Sequence, residues 1–134
     1  MTSWSIKILK SRYKNGWDIL IGVAPFDINQ NLNDNYNNTD KCGWYFNCYD
    51  SKLHSGPPHN YKWPGKKYGP RKWKGDYVHT GDSVEIVMDT VKGELLFTLN
   101  GTNLGVAYEG IPLGKPLVPC VLLGNKGDSV ELAI

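Results

Sequence analysis

Apolar residues in this chain recur at every second position, and nowhere at a sustained helical spacing. Trp4, Ile6 and Ile8 alternate with Ser5 and Lys7, Val84, Ile86 and Met88 with Glu85 and Asp89, and Leu95, Phe97 and Leu99 with Leu96 and Thr98. Ile19, Ile21 and Val23 form a further run after Asn15-Gly16. A strand turns successive side chains to opposite faces, so each run offers one face to a core. Many short strands without helices bury those faces in a sandwich or a barrel.

Turn residues separate the runs, at Asn15-Gly16, Lys92-Gly93, Asn100-Gly101 and Lys126-Gly127. Both residues of Asn-Gly accept positive φ, which a two-residue hairpin turn requires. Leu95–Leu99 is therefore predicted to pair with Leu104–Ala107 across Asn100-Gly101. With 134 residues the chain suits one domain around one core. No run of about 18 apolar residues is present, so no membrane span is predicted. Residues Met1 to Lys7 lack the apolar centre of a signal peptide. Three cysteines are too few for a disulfide scaffold, and free thiols in a reducing cytoplasm are expected. The net charge of +2 singles out no partner.

Asp27 to Asn38 reads DINQNLNDNYNN, and six of the twelve residues are Asn. Asn and Asp side chains bond nearby backbone and so favour turns, which predicts a long surface loop. Asp27, Asn29, Asn31 and Asn33 imitate the start of an EF-hand. That loop needs Gly at its sixth position and a bidentate Glu at its twelfth, and here these are Leu32 and Asn38. Zinc fares no better. Cys42 and Cys48 flank a predicted strand, Gly43–Tyr49, which would hold them about 20 Å apart if extended. No nucleophile elbow or paired carboxylate accompanies Cys48, Cys120 or His79, so no cofactor, metal or catalysis is expected.

The stretch YKWPGKKYGPRKWK, residues 61–74, interleaves Lys62, Lys66, Lys67, Arg71, Lys72 and Lys74 with Tyr61, Trp63, Tyr68 and Trp73. Cations that follow phosphates and aromatics that stack bases would suit single-stranded nucleic acid, with Lys62, Trp63, Lys66, Lys67, Arg71, Lys72 and Trp73 as the patch. The competing expectation is a long Pro/Gly loop, pinned by its aromatics and solvated through its lysines.

From Gly43 onward the chain resembles the SPRY domain family. The likeness is carried by CGWYFNCYDSKLHSGPP, TGDSVEIVMDTVKGELLFTLNGTNLGVAYEGI and PLVPCVLLGNKGDSVEL. Trp4 to Ile8 resembles the family's early Trp-x-Val-x-Ile strand, and Ile21-Gly22-Val23-Ala24 the strand after it. The resemblance implies an all-β, concanavalin-like bent sandwich of two antiparallel sheets. It also implies a monomeric, non-catalytic module that binds a peptide segment of another protein, in the manner of substrate recognition for a ubiquitin ligase. Three departures stand out. The chain begins almost on the Trp4 strand, so either an excised piece or a first sheet without the strands that usually precede Trp4 is expected. Glu85 replaces a small residue and must face water. The loop Leu123 to Gly127 lacks the family's aromatic.

The resemblance places the peptide pocket on loops at one end of the sandwich. An aromatic at the end of the loop after the second strand lines that pocket in ubiquitin-ligase adaptors, which carries the role to Tyr36, with Asn35 and Asn37 beside it. Leu123, Gly124, Asn125 and Lys126 match the second wall. Sandwiches of this kind also host sugar sites, and fold alone cannot separate those uses.

Overall fold

The computed structural model describes residues 1–11, 19–26, 43–56, 61–69, 78, 80–114, 116–124 and 126–133, with backbone alone at 55 and 62–64. Ten strands run in chain order: β1 Thr2–Lys10, β2 Ile19–Pro25, β3 Trp44–Asn47, β4 Lys52–Ser55, β5 Tyr61–Lys67, β6 Ser83–Asp89, β7 Glu94–Leu99, β8 Thr102–Tyr108, β9 Leu117–Leu123 and β10 Ser129–Ala133. They form two antiparallel five-stranded sheets, ordered β10-β1-β6-β7-β8 and β5-β4-β3-β2-β9. Among the described residues there is no helix, and so none long and apolar enough to cross a membrane.

The alternation sets the faces as expected. Ile6 and Ile8, Val84, Ile86 and Met88, and Leu95 and Phe97 point inward from the first sheet and are at most 2% exposed. Ile19, Ile21, Val23, Trp44 and Phe46 meet them from the second. Each such burial contributes about 1.5–3 kcal/mol, against about 0.5–1.5 kcal/mol net for a typical hydrogen bond. Trp4 and Leu99 pack at the margin of this core. Glu85 lies on the outer face, opposite Ser5 and Thr98, where a charge stays in reach of water.

Strands β2 and β3 of the second sheet differ from the first sheet in being buried on both sides. Ile19-Leu20-Ile21-Gly22-Val23-Ala24 contains no polar residue, the pattern of a strand covered on two faces. Leu20, Ala24, Tyr45 and Asn47 alternate with the core residues and are also at most 2% exposed.

The Asn100-Gly101 hairpin forms as predicted, with φ of 49° and 85°. The Asn100 side chain accepts the Ser83 N–H at 2.8 Å and donates to Asp82 at 3.0 Å, tying the turn to the start of β6. The predicted strand Gly43–Tyr49 is shorter than expected. It ends at Asn47, because the Asn47 carbonyl accepts the Ser51 N–H and its side chain accepts the Tyr49 N–H, each at 2.8 Å. Cys48 therefore sits in a turn, fully buried, rather than on a strand face. Asn15-Gly16 lies outside the described residues.

Candidate peptide-binding site

The β2–β9 register fixes where the expected pocket walls begin. Ile19 pairs with Leu123, and Pro25 with Leu117, without a break between. Leu123 and Gly124 therefore stand at the Ile19 end of the second sheet. The Asn-rich segment leaves from the other end, after Phe26, and rejoins at Gly43 beside the start of β3. Six residue steps of strand separate the two places, about 20 Å at the usual rise. The strand ends thus do not place the two expected walls together. Asn35, Tyr36 and Asn37 lie outside the described residues, as do Asn125, Trp17, Cys42 and His79.

Leu123 is 44% exposed, Gly124 is half-buried and Lys126 is exposed. They open the connection that carries the chain from β9 in one sheet to β10 in the other. Lys126-Gly127 makes the turn, with Gly127 at φ 93°. Neighbouring connections are tightly held. Ile8 exchanges backbone bonds with Asp82 and Gly81 at 2.8 and 2.7 Å, and the Ser11 hydroxyl lies 3.3 Å from that of Thr80. This end is thus preformed among its described residues, as a binding site on rigid elements requires.

One polar cluster escaped the sequence reading. Asn47, buried on the outer side of the second sheet, places its Nδ2 3.1 Å from His54 Nε2. Its Oδ1 is committed to the Tyr49 N–H, so Nδ2 is the donor and His54 Nε2 the acceptor. Asp50 lies 4.0 Å from the same nitrogen. The imidazole satisfies a buried amide here, which is a structural task. The only advance signal was the alternation that puts Asn47 on the face of Leu20 and Tyr45.

The basic stretch is not a long loop in its first half. Tyr61–Lys67 is an edge strand, paired to β4 through Lys52↔Lys67 and Leu53↔Lys66. Pro64 is compatible with a strand only because an edge needs no donor on its free side. Lysine, proline and a register shift on one edge are devices that stop sheets from pairing end to end. They supply a structural reason for the charges. Lys66 donates to the Tyr61 hydroxyl at 3.3 Å and lies 5.3 Å from the centre of that ring. Tyr61 in turn packs against Tyr108, and Tyr68 against Phe46 and Phe97. These rings are engaged in packing rather than presented as a stacking platform. Lys62 and Trp63 are described by backbone alone, and Arg71, Lys72 and Trp73 lie outside the described residues.

The described thiols are poor nucleophiles. Cys48 is fully buried, and burial pushes the Cys120 thiol up, with the Tyr45 hydroxyl donating to its sulfur at 3.5 Å. Among the described residues no group of three His, Cys, Asp or Glu is placed to hold a metal ion.

A family model described as the SPRY domain matches residues 2–134. No curated protein matches the chain. Among solved structures, the crystal structure of the SPRY domain of human HERC1 is similar with a TM-score of 0.66 at 21% identity, over 97% of this chain and 72% of that one. At that identity the likeness concerns the fold.

Proposed function

This chain belongs to the SPRY domain family, whose members are in general protein–protein interaction modules, and from that premise we propose that it is a non-catalytic domain that binds a short peptide segment of a partner, as the recognition module of a ubiquitin ligase does. The observation that carries the reading is the family match across residues 2–134. Rigid connections at the Ile19 end of the second sheet support it. In this reading Leu123, Gly124, Asn125 and Lys126 form one wall. Asn35, Tyr36 and Asn37 form the other, for which the segment after Phe26 must run back along the second sheet by about 20 Å. A segment of that length spans the distance easily, at up to about 3.3–3.6 Å per residue. Exposed backbone of Asn35 and Gly124 would bond the peptide, and the Tyr36 ring would supply rigid contact area.

The experiment is to select peptides against the full chain and to titrate the best one at rising salt. An apolar, hydrogen-bonded pocket predicts nearly constant affinity. A steep loss with salt, shared by a single-stranded oligonucleotide, would sink the reading in favour of a phosphate-binding surface.

A further inference from the structure

Among the described residues each sheet ends in two edge strands, and three of these four combine features that refuse another strand. β5 carries Pro64, Lys66 and Lys67 and a register shift. β8 has register shifts against β7 and Gly105 at φ 92°. β10 has five residues and carries Glu131. Short length, charge, proline and bulges blunt an edge. β9 is unlike them. Its residues Leu117–Leu123 carry no charge and pair with β2 in unbroken register over seven residues.

The direction of the β9 backbone groups follows from one bond. The Phe26 N–H donates to the Pro116 carbonyl at 3.0 Å, one step beyond the Pro25↔Leu117 pair. Antiparallel pairs alternate between hydrogen-bonded and non-bonded. Val118, Cys120 and Leu122 therefore turn their backbone groups to β2, and Leu117, Pro119, Val121 and Leu123 turn theirs to the free edge. Pro119 agrees, since its missing N–H falls on the side where β2 needs none. The edge thus offers three N–H groups and four carbonyls in a row. No hydrogen bond among the described residues reaches them. Beside Leu117 a groove of about 380 Å³ opens toward Trp4 and Leu113.

We infer that the free edge of β9 is a strand-addition site for an extended, uncharged segment of another protein, whose inward apolar side chains enter the groove between Leu117 and Trp4. Backbone groups supply affinity in strand addition and alternate side chains supply specificity. Charge selects the occupant: β9 has no countercharge to offer, so burying an ion against it is unfavourable. Pro119 argues against a second copy of this chain. Any two-fold pairing of β9 with itself meets the missing donor twice, whereas a foreign strand meets it once. The site goes beyond the loop pocket proposed above, and Tyr36 takes no part in it.

The test uses the full chain, labelled with ¹⁵N, and an acetylated, amidated seven-residue peptide of alternating valine and threonine. At about millimolar peptide, amide exchange at Val121 and Leu123 is expected to slow about tenfold, with the β5 and β10 edges unchanged. In a strand added antiparallel to β9, as every pair in this sheet is, the inward valines turn their N–H groups to β9. N-methylating the valines should abolish the slowing, and N-methylating the threonines should leave it. Val121→Pro removes one edge donor without touching a bond to β2, and should weaken the slowing at Leu123, with a lower melting temperature because Val121 packs against the core. Equal effects of the two methylation patterns, or no slowing, would overturn the inference whether or not that variant folds. So would protection at Val121 that grows with protein concentration in the absence of peptide, which would assign the edge to a second copy. Persistence of the slowing in Tyr36→Ala separates this site from the loop pocket.

Discussion

The Tyr68 hydroxyl donates to the Gly105 carbonyl at 2.6 Å, and so joins the segment after β5 in one sheet to β8 in the other. The same oxygen accepts the Phe97 N–H at 3.3 Å. The β7–β8 ladder shifts register around Leu96 and Thr98, leaving Phe97 without a regular partner there. A side chain thus fills a gap in the main-chain ladder, and Gly105, at φ 92°, supplies the backbone bend that aims its carbonyl.

Tyr68→Phe should therefore destabilise the fold by about 1–3 kcal/mol, because it strands the part-buried Phe97 N–H, while the exposed Gly105 carbonyl can turn to water. Urea unfolding measures this, and an unchanged midpoint would refute the bridging role. Burial pushes the Tyr68 phenol up to about 12. Its folded value exceeds the unfolded one, near 10, so its contribution is complete below about pH 10 and is lost as pH rises through about 12. The Phe variant should lose stability less steeply across that alkaline window.

Gly101→Val should destabilise the fold by about 1–2 kcal/mol. Nothing lies within 4 Å of the added carbon, so the effect isolates backbone strain at φ 85°. Thermal unfolding reads it; an unaltered melting temperature would mean that the hairpin tolerates another turn.

Ser at both Lys66 and Lys67 should leave the melting temperature and peptide binding intact while increasing association on gentle heating. Those lysines sit exposed on the β5 edge, and removing charge removes its protection. Light scattering follows the outcome. Loss of peptide affinity in this variant would instead place the basic edge in the binding site.

Cys120 should alkylate much more slowly in the native chain than a free thiol does at about pH 8. Burial raises its pKa, leaving less thiolate. Mass measurement after a timed reaction decides, and rapid labelling would show that β9 opens readily.

Tyr36→Ala should weaken the selected peptide by about 1–2 kcal/mol with little change in melting temperature. Calorimetric titration gives the first quantity and thermal unfolding the second. A variant that unfolds, or one that binds equally well, would assign Tyr36 to the scaffold.

The sequence by itself determined the local pieces. Alternation in Trp4–Ile8, Val84–Met88 and Leu95–Leu99 specified strands and their inward faces, because a strand's period is a property of its own backbone. Asn100-Gly101 specified its hairpin for a similar reason, since positive φ is a local demand. The order of family motifs then identified the sandwich. Only the tertiary structure decided what lies next to what. Lys66 and Lys67 belong to a strand because β4 supplies a partner, although Pro64 and Gly65 favour a loop locally. β3 stops at Asn47 because its side chain and carbonyl capture the turn that follows. The two expected pocket walls start at opposite ends of β2 and β9, a relation set by pairing between segments distant along the chain. Such pairings follow from which faces the whole molecule can bury together, and no single window of sequence contains that information.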